Sequence, residues 1–248
     1  MRRRSPTAVV CAGAILLAGC TAAAGEHTGA DGRGRSPAHA SSDVRGPERG
    51  DRDGLPPVVD HVRTRDRVVF LTYDDGAERD PGFVALVRER RLPVSMFLTD
   101  SVVGPGYGHF ARLRAVGASI QNHTLDHPAL RGLPYAGQRA EICGQQHKLR
   151  SRFGIRPRLF RPPYGTYDTT TLRAAADCGI RAVVLWRASA NAEGELTYTS
   201  GRPGLRPGDI VSVPSGETAS PTLTERTERL LREIERSGLR VGRLEDYL

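Results

Sequence analysis

From position 68 onward the chain alternates between short apolar runs and longer amphipathic stretches. Val68-Val69-Phe70-Leu71 is continuously apolar and reads as a buried strand. Asp80 to Leu92 reads as a helix: Asp80 is a cap, Pro81 suits the first turn, and Phe83, Leu86 and Val87 share one face. Further strands are expected at 93–99, 118–123, 158–165, 181–186 and 208–213. Further helices are expected at 107–117, 136–154, 168–179 and 220–238, with Gly117 and Gly154 as stops and Asp168 as a cap. Strands that alternate with helices call for a parallel sheet with right-handed crossovers. Six or seven such units in the span 55–248 predict an α/β fold, a small, distorted or incomplete (β/α)7 barrel.

The first residues do not share this rhythm. Arg2-Arg3-Arg4 is a basic start, and Val9 to Leu17 is an apolar run too short to span a membrane. Leu17-Ala18-Gly19-Cys20 resembles the lipobox of bacterial lipoproteins. That likeness implies a signal peptide over 1–19, a lipid on Cys20 and anchoring to the outer face of the cell membrane. Residues 20–54 are rich in Ala, Gly, Ser, Asp and Arg and carry almost no large apolar residue, so they read as a flexible tether. The folded domain is expected over 55–248.

Charge narrows the partners. The net charge is +8, but the basic residues are dispersed and alternate with acids, as in "RTERLLREIERSGLR". No basic patch interleaved with aromatics stands out, which argues against nucleic acid. Attraction to an anionic wall polymer or membrane surface stays open. Of four cysteines, Cys11 falls in the leader and Cys20 in the lipobox. Cys143 and Cys178 remain, and an even pair in an exported domain favours a disulfide over two buried thiols.

Three polar motifs fall where predicted strands end. Asp74-Asp75-Gly76 follows the first strand, His123 and His127 in "NHTLDHP" follow the third, and "RPPYG", Arg161 to Gly165, follows a later one. In a parallel barrel all three converge on one rim. Two imidazoles four residues apart can share an ion in a tight turn, and a carboxylate from another strand completes a His, His, Asp set with open positions. A second carboxylate beside the cation stays ionised and can take a proton from water, and Arg161 can hold it in place. Alone, Asp-Asp-Gly is an ordinary turn, H-x-x-x-H an ordinary pair of histidines and Pro162-Pro163 a stiff loop. Their order and common placement make them one candidate site.

"TYDDG", "HTLDH" and "RPPYG" together resemble the three motifs of the polysaccharide deacetylases with the NodB-homology domain, also called carbohydrate esterase family four. The resemblance covers roughly Val68 to Leu248, with Tyr73 where Phe is usual. It implies a distorted barrel of about seven βα units. It implies Asp74 as catalytic base, Asp75, His123 and His127 as ligands of a divalent metal, often zinc, Arg161 as orienter of the base, and the Tyr164 backbone N–H as an oxyanion donor. Pro163 and Trp186 would line the substrate pocket. The implied reaction is hydrolysis of N-acetyl, or O-acetyl, groups on a cell-wall or extracellular glycan, peptidoglycan or chitin-like.

The likeness fails late in the chain. The family's general-acid His, at the end of a late strand, falls here on Pro214, and no His follows His147. Trp186 is present, but the acids that usually follow it are replaced by Arg187, Ala188 and Ser189. A general acid is worth about 10²–10⁴ in rate, so its loss implies impaired turnover, more for amides than esters. Glu217 is a candidate substitute. The alternative is a catalytically inactive, metal-binding glycan-recognition lipoprotein on the same fold.

Overall fold

The computed structural model describes residues 54–213 and 220–248. The leader, Cys20 and the tether up to residue 53 lie outside the described residues, as do Pro214 and Glu217. Among the described residues the chain forms ten strands: β1 (Val58–Val59), β2 (Val68–Asp75), β3 (Ser95–Leu98), β4 (Ser119–Asn122), β5 (Leu159–Phe160), β6 (Ala182–Val184), β7 (Ala188–Ala190), β8 (Leu196–Tyr198), β9 (Ile210–Val213) and β10 (Arg240–Val241). The helices are α1 (Pro81–Arg90), α2 (Asp100–Val103), α3 (Tyr107–Ala115), α4 (Tyr135–Phe153), α5 (Thr169–Asp177) and α6 (Leu223–Arg236).

The sheet order is β1-β6-β5-β4-β3-β2-β9-β7-β8, with β10 beside β2. Every pairing is parallel except the β7–β8 hairpin. Curvature comes from one stretch of chain. The run from Ala182 to Ala190 pairs with β5 through its first half, Val183 opposite Phe160, and with β9 through its second, Ala188 opposite Val211. The sheet therefore curls back on itself into the distorted barrel that the sequence predicts.

Strand alternation divides the core. Val69, Leu71 and Tyr73 of β2 pack outward against helices with Phe83, Val87, Leu230 and Ile234. Val68 and Phe70 pack inward with Phe97, Leu159, Val184 and Ile210. The far end of the interior is closed by Glu245, which accepts hydrogen bonds from Ser95, Ser119 and Gln121.

The expected helices are all present, shifted by up to three residues at their ends. Asp80 caps α1 by accepting from the Gly82 N–H at 2.8 Å, and Pro81 opens it. Cys143 on α4 and Cys178 after α5 form a disulfide. Several elements differ from expectation. The expected strand over 158–165 is only two residues long, because Arg161 to Gly165 turns away into a 3₁₀ turn at Pro163–Gly165. The strands β1, β7, β8 and β10 and the short helix α2 have no counterpart in the reading above.

Asp168 caps α5 and also accepts from the Gly132 N–H at 2.9 Å, so it ties the helix to the β4–α4 loop. Burial pushes its carboxyl up, but hydrogen bonds from Gly132, Thr171 and Gln138 outweigh that and bring it from 3.8 to about 2. A carboxyl depressed in the folded state stabilises above its unfolded pKa and loses that contribution as pH falls. Asp168→Ala is therefore expected to cost about 1–2 kcal/mol at neutral pH. The gap to wild type, read by urea unfolding, should shrink between pH 3.8 and about 2.

Candidate active site

Asp74 and Asp75 are adjacent in sequence but do not face each other. They are the last two residues of β2, and successive side chains on a strand diverge. Asp74 follows the inward phase of Val68 and Phe70, and it is 8% exposed. Its Oδ1 accepts from the Arg161 guanidinium at 2.6 Å and its Oδ2 accepts from the Ser212 hydroxyl at 2.9 Å. Asp75 lies on the other phase, toward the β4–α4 loop. The pleat thus separates two like charges and gives each its own partners.

Gly76 completes the turn. Its φ is +90°, and a Cβ there would stand 2.8 Å from the Val103 side chain and 3.0 Å from Phe110. Its N–H donates to the Asp74 carbonyl at 2.7 Å. Glycine is required on both counts, conformation and space.

The "NHTLDH" loop is built by short polar ties. The Thr99 hydroxyl donates to the His123 carbonyl at 2.8 Å. The Thr124 N–H donates to the Asn122 side chain, and the His127 N–H donates to the Thr124 hydroxyl. Glu141 of α4 accepts from the N–H groups of Leu125 and Asp126. Of five described non-glycine residues with positive φ, four line this region: Asp75, Thr124, His127 and Tyr164. The fifth, Arg91, merely caps a helix. Left-handed backbone costs an L-residue about 1–3 kcal/mol, so its concentration here marks a site where geometry outweighs stability.

Those turns bring three ligand atoms together. The Asp75 Oδ1 stands 3.3 Å from His123 Nε2 and 3.1 Å from His127 Nε2, and the two nitrogens are 3.2 Å apart. His123 Nδ1 lies 2.7 Å from the Arg161 carbonyl, which can only accept, so Nδ1 carries the proton and Nε2 presents its lone pair. Asp75 Oδ1 is buried without a hydrogen-bond partner. Burial pushes the Asp75 carboxyl up, but the two imidazoles of His123 and His127 beside it outweigh that and hold the group well below the usual carboxylate range. Ligands about 2.0–2.1 Å from a tetrahedral ion stand about 3.3 Å apart, which the three separations match. The donor set fits a divalent cation.

Arg161 is fully buried. Its guanidinium carbon sits 4.5 Å from the Phe97 ring centre and 5.3 Å from that of Trp186, and it donates to the carbonyls of Val184 and Leu185. Trp186 is half-buried and packs over Gly165, where a Cβ would meet its ring at 3.1 Å. Pro163 is buried in the turn. Tyr164 is 66% exposed, and its ring lies 4.8 Å from that of His127. All the site residues expected from the three motifs thus gather at one mouth.

Two residues escaped the sequence reading. Ser212 lies mid-way in an apolar strand, where a small hydroxyl signals nothing without its partner. Arg187 pairs with the buried Asp209 through two 2.5 Å contacts and stacks 5.0 Å from the Tyr198 ring, anchoring the β7–β8 hairpin.

The sequence profile of the polysaccharide deacetylase family matches residues 61–183. That span holds all three motifs and ends before Trp186 and β9. An uncharacterized protein of Streptomyces coelicolor is 65% identical over 237 residues, covering 94% of this chain and 91% of its own. A chitooligosaccharide deacetylase of a Bradyrhizobium strain is 28% identical over 179 residues, covering 68% of this chain and 81% of its own. A CE4-family pseudoenzyme of Bacillus anthracis shares the fold, with a TM-score of 0.65 at 18% identity over 77% of this chain and 69% of its own.

Chelator-stripped protein titrated with zinc is expected to bind one ion per chain and to melt at a higher temperature. Ligand at about 100 times its Kd adds about 2.7 kcal/mol. His123→Ala should lose both effects in calorimetry and thermal melts.

Proposed function

We propose that the chain, whose residues 61–183 match the polysaccharide deacetylase family, is a metal-dependent hydrolase acting on an acetylated glycan. The observation that carries this is the junction of two unlike arrangements. A carboxylate held by two donors, Asp74, adjoins a cluster of three ligand atoms, from Asp75, His123 and His127. A structural ion site needs only the second.

A divalent cation held by Asp75, His123 and His127 supplies Lewis-acid polarisation of a carbonyl and of water. The rest falls to the protein. Asp74 takes the proton from the attacking water as the new C–O bond forms at the acetyl carbonyl. Arg161 aims Asp74, and Ser212 fixes its second oxygen. The Tyr164 backbone N–H donates to the carbonyl oxygen as charge builds there. The C–N bond then breaks, acetate leaves and the amine takes up a proton.

That last proton is the weak point. The position of the family's general-acid His is Pro214, and no His follows His147. Turnover on amides is proposed to be slow, on acetyl esters less so, because an alkoxide leaves more readily than an unprotonated amine. Glu217 is the candidate replacement acid. Pro214 also supports a second reading, a glycan-binding protein with silent chemistry. The leader reading at Leu17–Cys20 places the protein on the outer face of the membrane, where N-acetylated wall glycans are the natural substrate class.

The test is acetate release by zinc-loaded protein from N-acetylated glycan oligomers and from an acetyl ester. Release is expected from both, faster from the ester, and abolished by Asp74→Asn. Ser212→Ala should lower it about tenfold, the worth of a hydrogen bond to a charged group. Wild type as silent as Asp74→Asn on both substrates, with zinc bound, would establish the binding-protein reading instead.

A further inference from the structure

One end of the barrel carries a ring of exposed arginines. Arg67, Arg158 and Arg181 immediately precede β2, β5 and β6. Arg91 and Arg114 stand on the approaches to β3 and β4, and Arg240 opens β10. All six are exposed. Because these strands run parallel, their N-terminal ends share one mouth, opposite the catalytic rim.

Among the described residues none of the six lies within ion-pair distance of a carboxylate. Arg67 donates to the carbonyls of Ser237 and Gly238, and Arg114 to that of Phe153, which fixes their direction without cancelling charge. The acids of this mouth are turned away or outnumbered. Glu245 faces the interior, and Asp209 is buried with Arg187. Asp66 accepts from the Tyr247 hydroxyl, and Asp60, Glu89, Glu235 and Asp246 are the other exposed carboxylates at or near this end. The opposite mouth carries Asp74, Asp75, Asp100, Asp126 and Asp168, with Asp74 paired to Arg161 and Asp100 to Lys148.

The chain enters the fold at the basic mouth. β1 runs parallel to β6, and the Pro57 carbonyl just before it accepts from the Val183 N–H, two residues past Arg181. No described helix is long and apolar enough to cross a membrane.

We infer that the N-terminal mouth of the barrel is a docking face for an anionic phospholipid surface. Arg114 and Arg158 line a cavity with Arg156 and Glu245, and the other four arginines are spread over the face around it, which suits a plane of headgroups. The choice of a membrane over a soluble polyanion rests on the lipid-anchor reading of Cys20, whose chain joins the fold at this mouth. Docked this way, the rim with Asp74 and Asp75 faces outward, toward glycan.

The experiment is sedimentation of full-length protein carrying Cys20→Ser with vesicles. One set mixes phosphatidylglycerol with phosphatidylcholine, and the other is phosphatidylcholine alone. The substitution removes the lipid acceptor, and leader and tether are the same in every variant compared. Each arginine near an anionic surface adds about fivefold to partitioning. Arg158→Gln with Arg181→Gln is therefore expected to lower partitioning onto anionic vesicles about twenty-five-fold. Arg173→Gln with Arg232→Gln, on the outer helices, should leave it unchanged, and salt should weaken binding. Equal binding to both vesicle types, or equal effects of the two double variants, overturns the proposal. So does a parent that ignores vesicles yet binds soluble polyglycerol phosphate through Arg158 and Arg181. None of these readouts needs turnover, so they stand apart from the acetate test.

Discussion

Arg161 joins the two halves of the site. Its side chain is fully buried, stacked between Phe97 and Trp186, and its charge meets the Asp74 carboxylate at 2.6 Å. Its backbone carbonyl accepts the Nδ1 proton of His123 and so turns Nε2 toward Asp75. One residue thus holds the base through its guanidinium and orients a metal ligand through its backbone. A buried pair of this kind is weak evidence for stability, since desolvation offsets much of the attraction. Breaking it is another matter, because removing one partner strands the other and costs about 3–5 kcal/mol. Conformational precision at the mouth is what the pair supplies.

The same preference for position over stability runs through the surrounding loops. Thr124 is β-branched and still adopts a φ of 73°. It does so because its N–H reaches the Asn122 side chain and its hydroxyl meets the His127 N–H. Glu141, two turns into α4, holds the following N–H groups. The strain is local, and the parallel sheet beneath absorbs it. The polar ends of the barrel divide the labour: carboxylates gather where chemistry is proposed, and arginines gather where the chain enters.

Much of this was legible in the sequence because the signals were local. The apolar run at Val68, the Asp80 cap with Pro81 and the glycine stops at Gly117 and Gly154 each express a short-range preference. The motifs at Asp74, His123 and Arg161 could be placed on one rim by topology alone. What stayed hidden depends on distant partners. The β7–β8 hairpin is held by Arg187 and Asp209, twenty-two positions apart, and nothing near Ala188 announces a strand. β1 and β10 are two-residue pairings fixed by their neighbours rather than by propensity. Ser212 acquires meaning only when β9 lies beside β2 and its hydroxyl meets Asp74. The strand expected over 158–165 ended early because Arg161 must turn inward to reach Asp74.

The central claim is that Asp75, His123 and His127 form one cation site beside a poised base. Zinc-edge X-ray absorption on zinc-loaded protein addresses it directly. The account predicts two imidazole nitrogens and one carboxylate oxygen at about 2.0–2.1 Å, completed by light oxygen atoms, with one imidazole lost in His127→Ala. A spectrum of oxygen ligands alone, unchanged by that substitution, would contradict it.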